Sequence, residues 1–407
     1  MASSQQQGSR CEIELVIDRT TTSHQNPRIN NHNNNNNKNH EHYSTTKMTL
    51  IAKNSILMSL NSLLTKFHAG YFRISLSLGG QALLWKTLTS AAPTTHDKNN
   101  AIQRVFHALN PTVFPILWSL ALFILILLSL LYILRCLFFF KMVKAEFLHH
   151  VGVNYLFAPW ISWLLLLESS PFMAPKTAPY LVLWWLFAVP VVMLDVKIYG
   201  QWFTKGKRFL STVANPTSQM SVIGNLVGAQ AAAHMGWKES AVCLFSLGMV
   251  HYLVLFVTLY QRLSGGDRLP VLLRPVFFLF FAAPGVASLA WESIVGSFDT
   301  ASKMLFFLSL FLFTSLICRP TLFRRSMRRF NVAWWAYSFP VTMLALASTD
   351  YAQEVKGTIS HILMFFLLAL SFLICLSLTL FTFINSKMLL PDNDPIASLV
   401  VQFPIAD

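Results

Sequence analysis

The sequence predicts an all-α polytopic membrane protein with ten transmembrane helices. Hydrophobic residues make up 54% of the 407 residues and charged residues only 12%, whereas a soluble domain carries roughly 25% charged residues. Ten long apolar stretches, separated by short polar loops, follow one another between Phe67 and Ile384. Because one bilayer crossing needs about 20 helical residues, ten crossings use most of the chain and leave little for a soluble domain.

The predicted crossings, called helix one to helix ten, together form a membrane domain over residues 67–385. Their predicted ranges are 68–87, 113–140, 147–167, 178–197, 211–233, 240–261, 272–291, 302–318, 331–348 and 358–385. An even number of crossings places both termini on the same side of the membrane.

The remaining segments are polar or short. Residues 1–47 include an asparagine-rich tract from Asn30 to Asn39 and no apolar h-region of a secretory signal, so they are predicted to be disordered, with helix one as the insertion signal. Residues 48–66 mix leucine and isoleucine with lysine and asparagine, a pattern typical of a helix at the membrane surface. Residues 386–407 form a short C-terminal tail.

The loop charges predict the orientation. The loops after helices two, four, six and eight are rich in lysine and arginine, whereas acidic residues accumulate in the opposite loops. The positive-inside rule therefore places the basic loops and both termini in the cytoplasm. Lys205, Lys207 and Arg208 after helix four would form a basic cytoplasmic mouth that raises the local anion concentration.

Helix-breaking residues recur in the odd-numbered helices. A membrane helix tolerates such residues where protein or a water-filled cavity satisfies the freed backbone groups, so the odd helices are predicted to form an inner ring around a pore, with the even helices as an outer, lipid-facing ring. Pro190 in helix four is an exception, and the alternative is that glycine and proline are simply more frequent in membrane helices. The predicted kink residues are Gly79, Gly80, Pro159, Pro216, Pro284 and Pro340.

The chemistry of the predicted pore is neutral. Helices three, five, seven and nine carry no aspartate, glutamate, lysine or arginine in mid-span, although proton-coupled carriers and cation pores generally need ionisable side chains or carbonyl filters there. A neutral conduit with a basic mouth favours anions. The five cysteines are scattered singly, and the histidines have no companion motif, so no cofactor, metal, nucleic-acid partner or enzymatic activity is expected.

Four sequence runs follow one another in the membrane domain, namely Asp195–Trp202, Asn215–Asn225, Phe281–Pro284 with Ala287–Trp291, and Ala333–Pro340. These runs resemble the plant slow-type anion channels of the tellurite-resistance and dicarboxylate-transporter family. The resemblance extends over residues 67–385.

The resemblance implies ten helices in five hairpin pairs, with odd helices inside, and trimers in the plasma membrane in which each subunit has its own pore. It also implies conduction of chloride, nitrate and in some members malate. In similar proteins a phenylalanine on the ninth helix plugs the pore, and the Tyr-Ser-Phe-Pro run assigns that role to Phe339, just before Pro340. The alternative is an ordinary packed aromatic residue, since the chain has 34 phenylalanines.

Two other functions remain open at this point. A carrier for dicarboxylate or sulfite would use the same fold but would saturate and depend on protons. Family members gated by kinases carry longer phosphorylatable tails, so this chain could instead be a non-conducting subunit of heteromeric channels. A protein kinase is still a candidate partner through two weak patterns, Arg19 before Thr22 and Arg324-Arg325 before Ser326.

Overall fold

The computed structural model of the protein describes residues 58–90, 112–204, 214–264, 274–324, 326–328 and 330–385. All regular secondary structure in these residues is helical, which confirms the predicted all-α class. All numbered helices belong to one compact unit, Ser59–Asp407. The predictions for residues 1–47, 48–57 and 386–407 and for Lys205, Lys207 and Arg208 lie outside the described residues.

Short helical pieces separate long helices along the described chain. Residues 58–66 are helical and precede the first numbered helix. The numbered helices are α1 (Arg73–Ser90), α2 (Val113–Phe138), α3 (Phe140–Leu148), α4 (Gly152–Tyr155), α5 (Phe157–Glu168), α6 (Ala178–Thr204), α7 (Gln219–His234), α8 (Lys238–Ser264), α9 (Leu279–Val295), α10 (Thr300–Ile317), α11 (Ser338–Val355) and α12 (Thr358–Ile384).

Several of these helices can cross a bilayer by their length and composition. Within the described residues, six spans pass that test, and a bent pair formed by α3 with α4 and α5 would add a seventh. The six lie in α2, α6, α8, α9, α10 and α12. The chain is therefore a multi-pass membrane protein, and the count of ten crossings remains a prediction.

Burial divides the long helices into two groups. In the most apolar stretches of α2, α6, α8, α10 and α12 only 17% to 39% of residues are buried, against 72% for the span Pro275–Val295 that contains α9. Every residue of α7 from Gln219 to Ala232 is buried. The outer helices instead expose large apolar side chains such as Phe383 and Ile359, as a surface in contact with lipid does.

The buried helices α1, α5, α7, α9 and α11 form a closed ring, in which each contacts the next and α11 contacts α1. We call them the inner helices. Each inner helix also packs against the outer helix that follows it in the chain, which gives five helix pairs. The order of helices around the ring is therefore the order along the chain.

A short helical turn precedes each inner helix, and these five N-terminal turns also contact one another around a ring. The inner helices consequently start at the same end of the ring and run parallel. In three turns a side chain of His68, Asn215 or Asn331 accepts a hydrogen bond from the backbone N–H two residues ahead, which satisfies a donor that a helix start leaves open. The turns are Ala69–Phe72, Gly152–Tyr155, Pro216–Ser218, Pro275–Phe278 and Val332–Tyr337.

The predicted boundary between helices two and three is wrong. Helix two was expected to reach residue 140 and helix three to begin at 147, but α2 ends at Phe138 and the chain bends by 103° between Phe140–Leu148 and Gly152–Glu168. The bend depends on Gly152, because a Cβ atom there would lie 2.4 Å from the carbonyl oxygen of Glu146. Apolar content on both sides of the bend hides it from a sequence-based reading.

Candidate functional site

Phe339 is buried inside the bundle at the start of α11. Its side chain is 1% exposed, and it packs on α1 at a point where α1 has no side chain. A Cβ atom on Gly80 would lie 3.3 Å from Cδ2 of Phe339 and 3.0 Å from Cε of Met343. Gly80 therefore provides the flat surface against which the Phe339 ring rests.

Gly79 has a related packing role on the next face of α1. A Cβ atom on Gly79 would lie 3.4 Å from Cβ of Leu165 on α5. The helix α1 continues without interruption through both glycines. The two glycines predicted to kink helix one thus let α1 approach α5 and α11 closely.

Three of the predicted kink prolines lie at or near helix starts. Pro216 opens its N-terminal turn, while Pro159 and Pro340 are the third residues of α5 and α11. Proline cannot donate to the carbonyl four residues earlier. For Pro159 that carbonyl belongs to Tyr155, the last residue of α4, and Leu156 alone separates α4 from α5. These prolines mark the junction between an N-terminal turn and its inner helix.

Pro284 lies inside its helix, α9. The carbonyl of Phe280, which Pro284 cannot pair, accepts a hydrogen bond of 3.4 Å from the hydroxyl of Tyr252 on α8. The next carbonyl, that of Phe281, accepts a hydrogen bond of 2.6 Å from Ser309 on α10. Outer helices therefore satisfy backbone groups near this break, as a membrane interior requires.

A polar seam fixes α11 against α1 close to Phe339. The side-chain amide of Gln81 donates to Oγ1 of Thr342 at 2.9 Å and to Oγ of Ser371 at 2.8 Å. Thr342 in turn donates to the carbonyl of Ser338 at 2.9 Å. Because Thr342 lies one helical turn beyond Phe339, this seam holds the rotation of α11 and with it the position of the Phe339 ring.

The N-terminal end of the ring carries buried charge that the sequence reading passed over. Arg73, the first residue of α1, is 2% exposed, and its Nε donates to the carbonyl of Gly70 at 2.9 Å. Its guanidinium lies over the ring of Tyr155, 4.7 Å from the ring centroid. Nearby, Arg135 and Glu146 form a buried ion pair of 3.8 Å, and Glu146 also accepts from the backbone N–H of Ala69 at 2.8 Å.

The C-terminal end of the ring carries mostly acidic groups. Each inner helix carries an ionisable side chain near this end, and in all but α1 that residue lies past the predicted end of the helix. Glu168 lies 3.1 Å from Nδ1 of His234, and Lys86 donates to the Glu168 carbonyl at 2.6 Å. The residues, in ring order, are Lys86, Glu168, His234, Glu292 and Asp350.

A buried cluster joins α6, α7 and α8 through residues also found in an enzyme triad. Ser221 donates to the carboxylate of Asp195 and lies 2.9 Å from Nδ1 of His251. Asn225 donates to the same carboxylate at 2.6 Å. In a catalytic triad the histidine stands between the acid and the serine, whereas here the serine stands between the acid and the histidine. The cluster therefore acts as a connection between helices.

The structure also locates Ser326, one of the two weak kinase patterns. Its side chain is buried, and the hydroxyl donates to the carbonyl of Phe323 at 2.8 Å and lies 3.4 Å from the hydroxyl of Tyr337. A kinase needs an accessible hydroxyl, so this conformation does not offer Ser326 as a substrate. Thr22 lies outside the described residues.

Sequence reasoning missed Arg73, Gln81 and Thr342. Their positions in the sequence could have identified them. Arg73 and Gln81 lie on the same helix as the Gly79-Gly80 pair, and Thr342 follows Phe339 by three residues. Arg73 stands two helical turns before Gly80, and a polar residue at that spacing from a small residue is a reasonable candidate for the same inner face of the helix.

Comparisons with known proteins show the family of the chain. Residues 66–383 match the SLAC1 family, described as a voltage-dependent anion channel. The chain is 58% identical over 345 residues to "S-type anion channel SLAH1" of Arabidopsis thaliana, an alignment that covers 85% of this chain and 87% of the relative. It is 59% identical over 332 residues to "S-type anion channel SLAH4" of the same organism, covering 81% and 87%.

A bacterial relative is more distant. "Tellurite resistance protein TehA homolog" of Haemophilus influenzae is 24% identical over 288 residues, which cover 69% of this chain and 80% of that protein. The family match includes all five inner helices and their N-terminal turns. The chain therefore belongs to the SLAC1 family of voltage-dependent anion channels and resembles its plant S-type members over most of its length.

Proposed function

We propose that the chain is a slow anion channel of the plasma membrane that passes chloride and nitrate down their electrochemical gradients. Malate is a further candidate ion. The permeation path runs through the centre of the inner ring, and Phe339 occludes it. The observation that best supports this function is a buried aromatic ring resting on a glycine inside a closed ring of five helices, in a chain whose relatives are named S-type anion channels.

The gate assignment rests on how Phe339 is held. Its ring contacts α1 at Gly80, where α1 itself has no side chain, and the side chain of Met343 lies against the same glycine. The seam of Gln81, Thr342 and Ser371 holds α1, α11 and α12 together independently of the ring. Truncation of Phe339 therefore leaves the helices in place and opens space between them, so the passage gains width.

The proposed membrane arrangement has ten crossings. The inner helices with their N-terminal turns have close to the length of about 20 residues that a crossing needs, even where small or polar residues lower their hydropathy. Both termini lie in the cytoplasm, so the N-terminal turns face that side.

Subunits assemble as homotrimers, each with its own path, or as heteromers with related subunits.

Two-electrode voltage clamp of cells that express the protein tests this function. We expect the wild type to give a current whose reversal potential follows the chloride or nitrate gradient, and Phe339→Ala to increase that current severalfold because the hydrophobic constriction is widened. Phe306→Ala is the matched control. Phe306 is as deeply buried, but it lies on outer helix α10 against Tyr351, so its loss should leave the current unchanged.

Surface labelling of each variant completes the test. An unchanged current in Phe339→Ala at normal surface density would contradict the gate. Silence of wild type and Phe339→Ala at normal surface density would contradict independent conduction, and would favour an electroneutral dicarboxylate or sulfite carrier or a subunit that conducts only with a partner. Co-expression with a related S-type subunit separates those two outcomes.

A further inference from the structure

We propose that Arg73 forms the centre of a binding site for a small monovalent anion at the N-terminal end of the inner ring. The role of this site in permeation rests on the proposed channel function. Its existence as a binding site rests on the buried charge alone.

The first argument is the missing counter-ion. Arg73 is 2% exposed, and an arginine side chain stays protonated in proteins. Among the described residues no carboxylate lies within ion-pair distance of Arg73, and its Nη1 has no hydrogen-bond partner. A buried charge without a partner is strongly unfavourable, so the side chain is expected to recruit an anion.

The second argument is the preorganised position of the guanidinium. Its Nε is fixed by the carbonyl of Gly70, and one face is covered by the ring of Tyr155. A Cβ atom on Gly70 would lie 2.5 Å from Cε1 of His68 and 3.0 Å from Nη2 of Arg73, so the turn closes tightly only with glycine. The free edge of the guanidinium therefore presents N–H donors in a fixed orientation, which is the geometry that planar anions and halides need.

The third argument is the charge balance around the site. Glu146, which holds the backbone of Ala69, is already paired with Arg135. Glu146 therefore neutralises Arg135 and leaves Arg73 without a counter-charge, and Nε and Nη1 of Arg135 also have no hydrogen-bond partner in the described part of the chain. The positive ends of five parallel helices add to this surplus.

A neutral donor lies at the same end of the ring. Gln219 is the first residue of α7, as Arg73 is of α1, and its side chain is completely buried. Neither the nitrogen nor the oxygen of its side-chain amide has a hydrogen-bond partner among the described residues. Contacts of Asn154 with Thr217 and Ser218 connect this position to the turn that carries Tyr155. Gln219 is therefore a second polar group for an anion or its hydration water.

The site precedes the proposed gate. Gly80, which contacts Phe339, lies seven positions after Arg73, which corresponds to about 10 Å along α1. An anion bound at Arg73 would therefore lie on the N-terminal side of the Phe339 ring. Such a site would concentrate anions before the constriction, and sites that hold ions weakly enough to release them support conduction.

Thermal unfolding of the purified protein in detergent tests the site directly. Sodium gluconate is replaced by sodium chloride or sodium nitrate at constant ionic strength. For the wild type we expect a saturable rise of the unfolding midpoint by roughly 2–5 °C. In Arg73→Met the half-saturating anion concentration should rise about tenfold or more, because the charged donors are lost. Gln219→Leu should give a smaller rise in that concentration.

Two further variants make the result specific. Lys86→Met removes a positive charge from the opposite end of the same helix and should keep the wild-type anion dependence. Arg73→Lys keeps the charge without the planar donors and should keep a saturable but weaker response, which provides the test if Arg73→Met does not fold. A saturable rise in Arg73→Met equal to that of the wild type, or an equal loss in Lys86→Met, would overturn the site.

These outcomes are separate from those of the channel test. Loss of anion binding in Arg73→Met supports the site whether or not the wild type carries current. A wild-type anion current with unchanged binding in Arg73→Met would leave the channel function standing and remove the site.

Discussion

The two ends of the inner ring differ in both charge and burial. At the N-terminal end, Arg73, Arg135 and Glu146 are each about 2% exposed and carry a surplus of positive charge. At the C-terminal end, Lys86 and His234 accompany the acids Glu168, Glu292 and Asp350, and the side chain of His234 is 40% exposed. The same five helices thus begin among buried cations and end among acidic groups, of which Glu292 and Asp350 are half-buried and Glu168 is 3% exposed.

This difference shows how one ring can treat an anion differently at its two ends. Electrostatic interactions are strong where water is excluded and weak where it enters. In the proposed channel the buried cations would hold an anion at the N-terminal end, whereas the acidic groups at the other end, of which Glu292 and Asp350 are half-buried, would weakly disfavour its return. The three predictions below compare the two ends, from the largest expected effect to the smallest.

The largest loss of stability should come from the glutamates that form an ion pair at each end, Glu146 with Arg135 and Glu168 with His234. Glu146→Gln leaves the guanidinium of Arg135 buried without a counter-charge and should lower the free energy of unfolding by about 3 kcal/mol. Glu168→Gln should cost only about 1 kcal/mol, because its partner His234 reaches water when unpaired. Denaturant unfolding of both variants in the same detergent measures the difference. Equal losses would show that the two ends are not distinguished by burial.

A smaller loss of stability should follow from alanine substitutions of the glycines in the turns at each end, Gly152 and Gly296. Gly152→Ala places a Cβ atom 2.4 Å from a backbone oxygen, and Gly296→Ala forces alanine to adopt a φ of 87° in open space. We expect losses of about 2–3 kcal/mol and about 1 kcal/mol respectively. Gly200→Ala in α6, where nothing lies within 4 Å, is the control and should be neutral or stabilising. A larger loss of unfolding free energy in Gly296→Ala than in Gly152→Ala would contradict the tighter packing of the N-terminal end.

The smallest effect concerns Asp299 at the open end. Its side chain accepts from the backbone N–H of Ser302 and caps α10, and this hydrogen bond holds the pKa of the carboxyl below its usual range. Asp299→Ala should cost about 1 kcal/mol, whereas Asp299→Asn should retain most of the cap.

The pH dependence of this cap has a defined sign. Because the pKa of Asp299 is lower in the folded state, the carboxylate stabilises the protein fully above its ordinary pKa near 4, and the contribution disappears as the pH falls below that value. Unfolding midpoints of wild type and Asp299→Ala should therefore converge at low pH. A constant difference down to low pH would show that the charge of Asp299 is irrelevant to its cap.

Sequence patterns located the helices well where each was a single apolar run. The predicted range 358–385 of helix ten differs from α12 by one residue at its end. The reading failed at the bend after Leu148, because apolar content continues through both arms. It also ended helices seven and nine too early, before Glu292 and Asp350, since a charged residue reads as a loop although a helix end can carry it.

The candidate site was predictable only in part. Pro340 was predicted from the pattern of helix-breaking residues and the role of Phe339 from a resemblance, and the structure shows that Phe339 is buried and contacts Gly80. The residues that hold this contact were not predictable, because Gln81 and Thr342 are separated by 261 positions in the chain. A local sequence pattern does not predict which polar side chains form hydrogen bonds with each other in the folded protein.

The sequence by itself determined that this protein is an all-helical membrane protein and that it belongs to the SLAC1 family. Both follow from local properties, namely apolar runs long enough for a bilayer and motifs that keep their order along the chain. The tertiary structure alone decided which charges are paired. Arg73 looks like any arginine near a helix end until folding buries it beside Tyr155 and away from any carboxylate in the described chain, because the free energy of a charge depends on what surrounds it.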